Sequence, residues 1–365
     1  MGAAEGTGAS ETRTAGSGGG TGTIGGGITT SAAPSSTLSE AEALMKWKAN
    51  LSPAQALHSW SLPTNIATTN TISPCKWFGI SCDDLGSITS ISLLSKGLQG
   101  KLDNLNFPSF PNLLLLNLSG NNLTGTIPDH IGTLSKLVFL DISVNNLSGP
   151  LPLSMASLRH ILELDISYNE IRGEVAPSFF INWTEHISLQ FQNNQLAGKI
   201  PSQVGLLKHL QILRLWGNKI SGSIPLEIGN LHNLTRLNLH SNHLNGPIPP
   251  TLRNLTKLKI LYLFDNQVSG SIPLEIRNLV NLMELSMSFN LLTGSIPSTL
   301  GKLTKHTILY LHTNQISSTI LAELGNLKNL VDLQLNRNNL TGSIPPSLGN
   351  LKKLKFLYFY DNQVG

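Results

Sequence analysis

An asparagine recurs at a fixed step along most of this 365-residue chain: Asn121, Asn145, Asn169, Asn194, Asn218, Asn242, Asn266, Asn290, Asn314, Asn338 and Asn362. Every interval is 24 residues except Asn169 to Asn194, which is 25. Each asparagine closes a phrase L-x-x-L-x-L-x-x-N-x-L, and copies open at Leu113, Leu137, Ile161, His186, Leu210, Leu234, Leu258, Leu282, His306, Leu330 and Leu354. A weaker copy opens at Ile88, with Lys96 in the asparagine position. One such unit is too short to bury its own apolar face, so copies at constant period must stack on one another. Length alone suggests two or three domains. The spacing replaces that expectation with one solenoid.

The physics of a coil follows from its phrase. The L-x-L pair points two side chains inward from a short strand, and stacking turns those strands into one parallel sheet. Leucine supplies the core, with 65 residues, about 18% of the chain. Each asparagine lies where the chain leaves its strand, and its amide suits backbone groups that burial would otherwise leave unpaired. The second half of a coil carries G-x-I-P, as in Gly222-Ser223-Ile224-Pro225, then a short convex turn such as Leu226-Glu227-Ile228-Gly229. Glycine suits a tight turn, isoleucine buries itself, and proline sets an extended-to-helical transition. Pro177 comes one residue late in the fourth copy, and Leu321 replaces the proline of the tenth. The fold class is a leucine-rich-repeat solenoid, an α/β horseshoe or superhelix with a parallel concave sheet. It spans residues 87–365 in about 11–12 repeats, the last of them incomplete.

Residues 1–37 form a Gly/Ser/Thr-rich tail, expected to be disordered because little in it can offset the entropy of ordering. Its Gly20-Thr21-Gly22-Thr23-Ile24-Gly25 matches G-x-G-x-x-G without the strand and helix that a dinucleotide site needs. The tail has no basic start and no apolar run of a secretory signal. Residues 38–86 are expected to form a cap: Ser39 and Glu42 fit a capping box, and Leu44, Trp47 and Leu51 recur at helical spacing. Cys75 and Cys82 flank Trp77-Phe78. They suit either two buried thiols or a disulfide adding about 2–3 kcal/mol to the cap. No stretch is long and apolar enough for a membrane helix. The formal charge of +4 is spread without a Lys/Arg block, so nucleic acid is not an expected partner. Ten histidines are scattered and no catalytic set recurs, so neither an enzyme, a metal site nor a cofactor is expected.

The phrase L-x-G-x-I-P-x-x-[IL]-G-x-L-x-x-L resembles the plant-specific class of leucine-rich repeats. The cap, with Glu42-Ala43-Leu44-Met45-Lys46-Trp47-Lys48 and Pro74-Cys75-Lys76-Trp77-Phe78-Gly79-Ile80-Ser81-Cys82, is similar to that of plant receptor-like kinases. The male-discoverer-interacting group is the nearest in detail. The resemblance covers residues 38–365 and implies a disulfide between Cys75 and Cys82. It also implies an extracellular, plasma-membrane setting, a peptide or protein ligand on the concave sheet, and a co-receptor partner. Kinase signatures, a membrane helix and a second cap are missing, so the chain is expected to be a truncated gene product or a fragment of an ectodomain.

Concave positions alternate with the buried leucines. They offer Arg214, Trp216, Asn238, His240, Tyr262, Phe264, Asp265, Ser286, Phe289, Tyr310, His312, Gln334, Arg337, Tyr358, Tyr360 and Asp361, with Arg236 one position earlier on its strand. Aromatics and arginines are interface anchors, although cross-strand stacking alone would also use them. Some receptors of the family bind a free peptide carboxylate through an R-x-R pair, of which Arg214-Leu215-Trp216 is half. N-x-[ST] sequons, candidates for glycosylation, begin at Asn50, Asn117, Asn122, Asn146, Asn182, Asn233, Asn254 and Asn339. The expected function is ligand recognition by a non-catalytic receptor ectodomain. The alternatives are a secreted inhibitor of pathogen polygalacturonase or a non-functional gene product.

Overall fold

The computed structural model describes residues 35–62 and 73–365. The glycine-rich fingerprint at 20–25 and nearly all of the expected tail lie outside the described residues. In the cap, one helix runs from Ser35 to Lys48 and buries Ala41, Leu44 and Trp47. It starts a turn before the expected capping box, so Ser39 lies within the helix and does not initiate it. Glu40 explains the placement, since it faces inward and accepts from Ser87 Oγ at 2.7 Å and from the Ile88 amide at 3.2 Å. Burial raises its carboxyl above the usual carboxylate range. Trp60 packs between Trp47 and Trp77, with ring centroids 6.4 and 5.8 Å away. The buried indoles find acceptors, Trp47 on the Lys101 carbonyl and Trp60 on the Phe78 carbonyl. Cys75 and Cys82 form a disulfide, with Cα atoms 5.5 Å apart.

The strand Ile80–Cys82 of the cap pairs antiparallel with Ile88–Ser92 and opens a sheet of 13 strands. All later pairings in that sheet are parallel, and one leucine per coil stays in register from Leu116 through Leu140, Leu164 and Leu189 to Leu333 and Leu357. The inward leucines of successive strands therefore form a continuous stack, and the core runs the length of the solenoid. Shorter parallel sheets of five, four and two strands lie where the chain leaves the concave face.

The return path is a 3-10 turn in most coils. Gly222 has φ +76° and Ile224 is buried, while Pro225 stands extended at φ −68°, ψ 144° just before the turn Leu226–Asn230. Leu321 holds the same extended geometry without a proline ring, at φ −80°, ψ 138°. Neighbouring turns approach closely: a Cβ on Gly229 would lie 2.4 Å from the Thr251 carbonyl oxygen. The 25-residue coil differs, because its return path is an α-helix, Pro177–Asn182. That helix absorbs the extra residue and buries Phe179, Phe180 and Trp183. No helix among the described residues is long and apolar enough to cross a membrane.

The asparagines tie coil to coil. Asn266 Nδ2 donates to the Leu239 carbonyl of the preceding coil at 3.1 Å, and to the Leu263 and Phe264 carbonyls of its own. Its Oδ1 accepts from the Leu244 amide at 2.9 Å. The same pattern holds from Asn121 to Asn362.

Two coils place histidine where the phrase has leucine. His186 and His306 are fully buried, and their ring nitrogens meet only poorly aligned backbone carbonyls. Burial depresses His186 to about 3 and His306 to about 4.

Two outcomes follow. Asn266→Leu is expected to lower stability by about 1–3 kcal/mol by stranding the Leu244 amide and three carbonyls, read as a shifted midpoint in urea. Acid should weaken the fold through His186 and His306. Each stays neutral when folded but takes a proton below about pH 6.5 when unfolded. Their contribution is therefore complete above about pH 6.5 and declines as pH falls toward the folded values, by at most about 1.4 kcal/mol per pH unit for each. Stability measured from pH 7 to 5 should fall less steeply in His186→Leu/His306→Leu. Parallel curves for the two proteins would refute the assignment.

Candidate functional site

A register that does not slip places residues of one repeat position in columns on the concave face. One column runs Arg214, Asn238, Tyr262, Ser286, Tyr310, Gln334 and Tyr358. Beside it run Trp216, His240 and Phe264, and farther along His312, Asn336 and Tyr360. Trp216 stacks on His240 at 4.8 Å and His240 on Phe264 at 4.1 Å, matching the step between strands. Tyr168, which sequence reasoning left out, meets Trp216 edge-on at 6.0 Å. A second group joins Phe289 to His312 at 5.0 Å and His312 to Tyr310 at 6.3 Å. Ser286 and Ser288, both buried, separate the two groups.

The face is electrostatically organised. The Tyr262 hydroxyl donates to Glu284, and the Tyr310 hydroxyl donates to Asp332 at 2.7 Å. Each bond reaches from one strand to the next. Burial first, then these carboxylates, push both phenols well above the usual tyrosine range. Gln334 also donates to Asp332. Arg214 is already engaged, donating to Gln190 Oε1 at 2.6 Å, whereas Arg236 is exposed. Burial lowers His240 to about 4, so its ring is neutral at neutral pH. Burial, reinforced by Arg337, also lowers His312. Farther along, Phe289, His312, Gln334, Asn336, Arg337, Tyr358 and Tyr360 line an open hollow of about 400 Å³. Arg337 there pairs with Asp361 at 3.4 Å.

Glu284 and Asp332 escaped the sequence reading because they occupy the position before the central leucine, where only Arg236 had been noticed. The period marked that position, so the signal existed. A second feature had no such signal: the residue before each ladder asparagine adopts left-handed backbone, as at Val144 (φ 52°), Asp265 (57°), Phe289 (51°), Arg337 (56°) and Asp361 (54°). That conformation is costly for residues with a Cβ.

Of the sequons, Asn50, Asn122, Asn146 and Asn339 are exposed. Asn117 is half-buried on the concave sheet and accepts from the Ser119 hydroxyl at 2.7 Å. Among the described residues, no group of three His, Cys, Asp or Glu side chains is arranged to hold a metal ion.

Sequence families support this architecture. A leucine-rich repeat N-terminal domain matches residues 38–83, a leucine-rich repeat region matches 186–305, and single leucine-rich repeats match 112–134, 136–158 and 329–351. The chain is a leucine-rich-repeat protein. Its similarities lie with plant receptor-like kinases. A probable leucine-rich repeat receptor-like protein kinase of Arabidopsis thaliana is 43% identical over 106 residues, 29% of this chain and 9% of its own length. MDIS1-interacting receptor like kinase 2 of the same plant is 40% identical over 114 residues, 30% of this chain and 10% of its own. This leucine-rich-repeat chain thus matches about a tenth of those kinases' length.

Among solved structures, PEPR1-AtPEP1 superposes with TM-score 0.79 at 33% identity, covering 89% of this chain and 49% of that one. The Arabidopsis receptor kinase HAESA, in complex with the peptide hormone IDA and the co-receptor SERK1, gives TM-score 0.69 at 30% identity. That match covers 89% of this chain and 62% of that one.

The carboxylate that holds Tyr262 can be tested. In Glu284→Gln, Tyr262 loses a negative neighbour that opposes its ionisation. An alkaline titration followed by tyrosinate absorbance should then show Tyr262, and to a smaller extent Tyr310, ionising at lower pH than in the wild type. An unchanged curve would show that burial alone sets the Tyr262 proton affinity.

Proposed function

We propose that this leucine-rich-repeat chain is the ligand-recognition region of a plant cell-surface receptor, and that it holds an extended peptide along its concave sheet. The observation that carries the reading is the run of Trp216, His240 and Phe264 on consecutive strands, with Tyr310, His312 and Phe289 beyond a gap of small serines. Aromatic side chains aligned on an open face give large contact area at low entropic cost. Tyr262 and Tyr310 are fixed by their carboxylates, and His240 is uncharged, so the surface is preorganised.

From the strand of Arg214 to that of Tyr310 there are four steps of about 4.8 Å, and an extended peptide advances about 3.3 Å per residue. About six peptide residues would lie over the aromatic strands, and some 10–15 over the whole inner arc. The HAESA complex with a peptide hormone and a co-receptor supports the same division of labour here. The aromatic strands recognise, a co-receptor docks beside the bound peptide, and the chain itself performs no catalysis.

The test is selection of a random 12-residue peptide library on the intact chain, followed by affinity measurement with Tyr262→Ala/Phe264→Ala. Two central anchors of this kind are worth about a hundredfold in affinity, with circular dichroism confirming an intact solenoid. Selected peptides that bind the double variant as tightly as the wild type would overturn the placement of the ligand on these strands.

A further inference from the structure

Folding concentrates charge that is dispersed along the chain. The five segments 249–259, 273–283, 297–307, 321–331 and 345–355 hold ten Lys and Arg residues against two acids, Glu275 and Glu323. The five preceding segments, from 128–138 to 225–235, hold three of each sign. Arg253, Arg277 and Lys302 sit in the convex turns themselves, and the other seven lie on the stretch that carries the chain from the turn up to the concave strand, so in the later coils those seven share one edge of the solenoid. All ten cations are exposed. Among the described residues the ion pair found, Arg337 with Asp361, involves none of them.

Three of these lysines are held in place. Lys257, Lys305 and Lys353 donate to the side-chain oxygens of Asn233, Asn281 and Asn329 in the preceding coil, at 2.7, 2.6 and 2.7 Å. The same asparagines are fixed in turn by donating to the carbonyls of Lys208, Thr256 and Thr304. Lysine and asparagine thus alternate along the edge, which sets the ammonium groups two coils apart, about 9–10 Å on the strand side. Each ammonium keeps two donors free. Between the last two lies an open groove of about 370 Å³ lined by Met283, Lys305, Thr307, Asn329, Val331 and Lys353. Its floor is apolar and its rims are cationic, with a hydroxyl and an amide between them.

The geometry points to a second binding site on this edge, for a linear polyuronate: a polysaccharide with one carboxylate per sugar. Such a polymer repeats its charge at about the length of one sugar ring, a step comparable to one coil. Alternate carboxylates can meet Lys305 and Lys353 while the ring between them lays its C–H face on Met283 and Val331. Thr307, whose hydroxyl donates to the Met283 carbonyl at 3.1 Å, keeps its oxygen free to accept from a ring hydroxyl. An extended acidic peptide sets same-side carboxylates about 6.6 Å apart, out of step with ammonium groups about 9–10 Å apart. The groove lacks the aromatic platforms on which single-stranded bases stack. The site is separate from the concave face and does not depend on the peptide reading.

The experiment measures binding of fluorescently labelled, de-esterified oligogalacturonate to the intact chain across a salt series. Binding is expected at low ionic strength and should weaken as salt rises. Lys305→Gln/Lys353→Gln should weaken it about three- to thirtyfold. Lys199→Gln/Lys219→Gln, two exposed lysines away from this edge, should leave it unchanged, and fully methyl-esterified oligomer should not bind. Unchanged affinity in Lys305→Gln/Lys353→Gln would overturn the site. Polyglutamate or single-stranded DNA of equal charge binding as tightly as the uronate would overturn the assignment of the ligand.

Discussion

The bond from each ladder asparagine into the preceding coil is the interaction on which the rest of this molecule depends. A coil that turns off a strand leaves amides and carbonyls facing a core of leucine, where water cannot reach them. One amide side chain answers both needs at once, as Asn145 does by accepting from Leu123 while donating to Leu118, Ile142 and Ser143. Because the acceptor and donors belong to two coils, satisfying the backbone also fixes how far one coil can slide past the next. The leucine register from Leu116 to Leu357 is the visible result.

Fixed register is what turns a linear sequence into surfaces. Residues 24 apart become neighbours at the strand step, so the stacking of Trp216, His240 and Phe264 and the alternation of Lys257, Asn281, Lys305 and Asn329 share one origin. The 25-residue coil shows how the register survives a disturbance. The α-helix Pro177–Asn182 takes up the additional residue on the convex side, and the strand pairing of Leu164 with Leu189 and Leu189 with Leu213 continues. Function on the concave face therefore tolerates variation behind it.

The period made most of the fold legible in the sequence, because a buried ladder and an inward leucine leave a residue-specific mark at every turn. The candidate site was legible in part. The aromatics could be placed on the concave face by counting, but their carboxylate partners, Glu284 and Asp332, lie on the next strand and required the column to be read across coils. Left-handed backbone at Asp265, Phe289 and Arg337 was not legible, because it is imposed by the turn into the ladder and the residues there share no chemistry. The cationic edge was hidden for a related reason. Lys305 and Lys353 are 48 residues apart, and a search for charge runs along the chain does not connect them. The cap misled in the opposite way: Ser39 carries a capping signature, but the buried Glu40 contact to Ser87 and Ile88 sets where the helix lies.

Rigidity limits how the proposed receptor region could report a ligand. Coils joined by strand pairing on the concave face, by shorter sheets beside it and by asparagine between them resist bending, and a ligand shifts a conformation only where two states differ in affinity. In the proposed reading, a peptide on the aromatic strands acts mainly by adding its own surface to the edge of the solenoid, where a second protein reads both together. The fixed tyrosines serve that role, since Tyr262 and Tyr310 are positioned before any ligand arrives. A polyanion along the lysine edge occupies the opposite requirement: it engages charges that rim the same coils without covering the concave strands. The proposed groove lies beside the concave strands on coils that follow the Trp216, His240 and Phe264 run, so the two proposed roles do not compete for space.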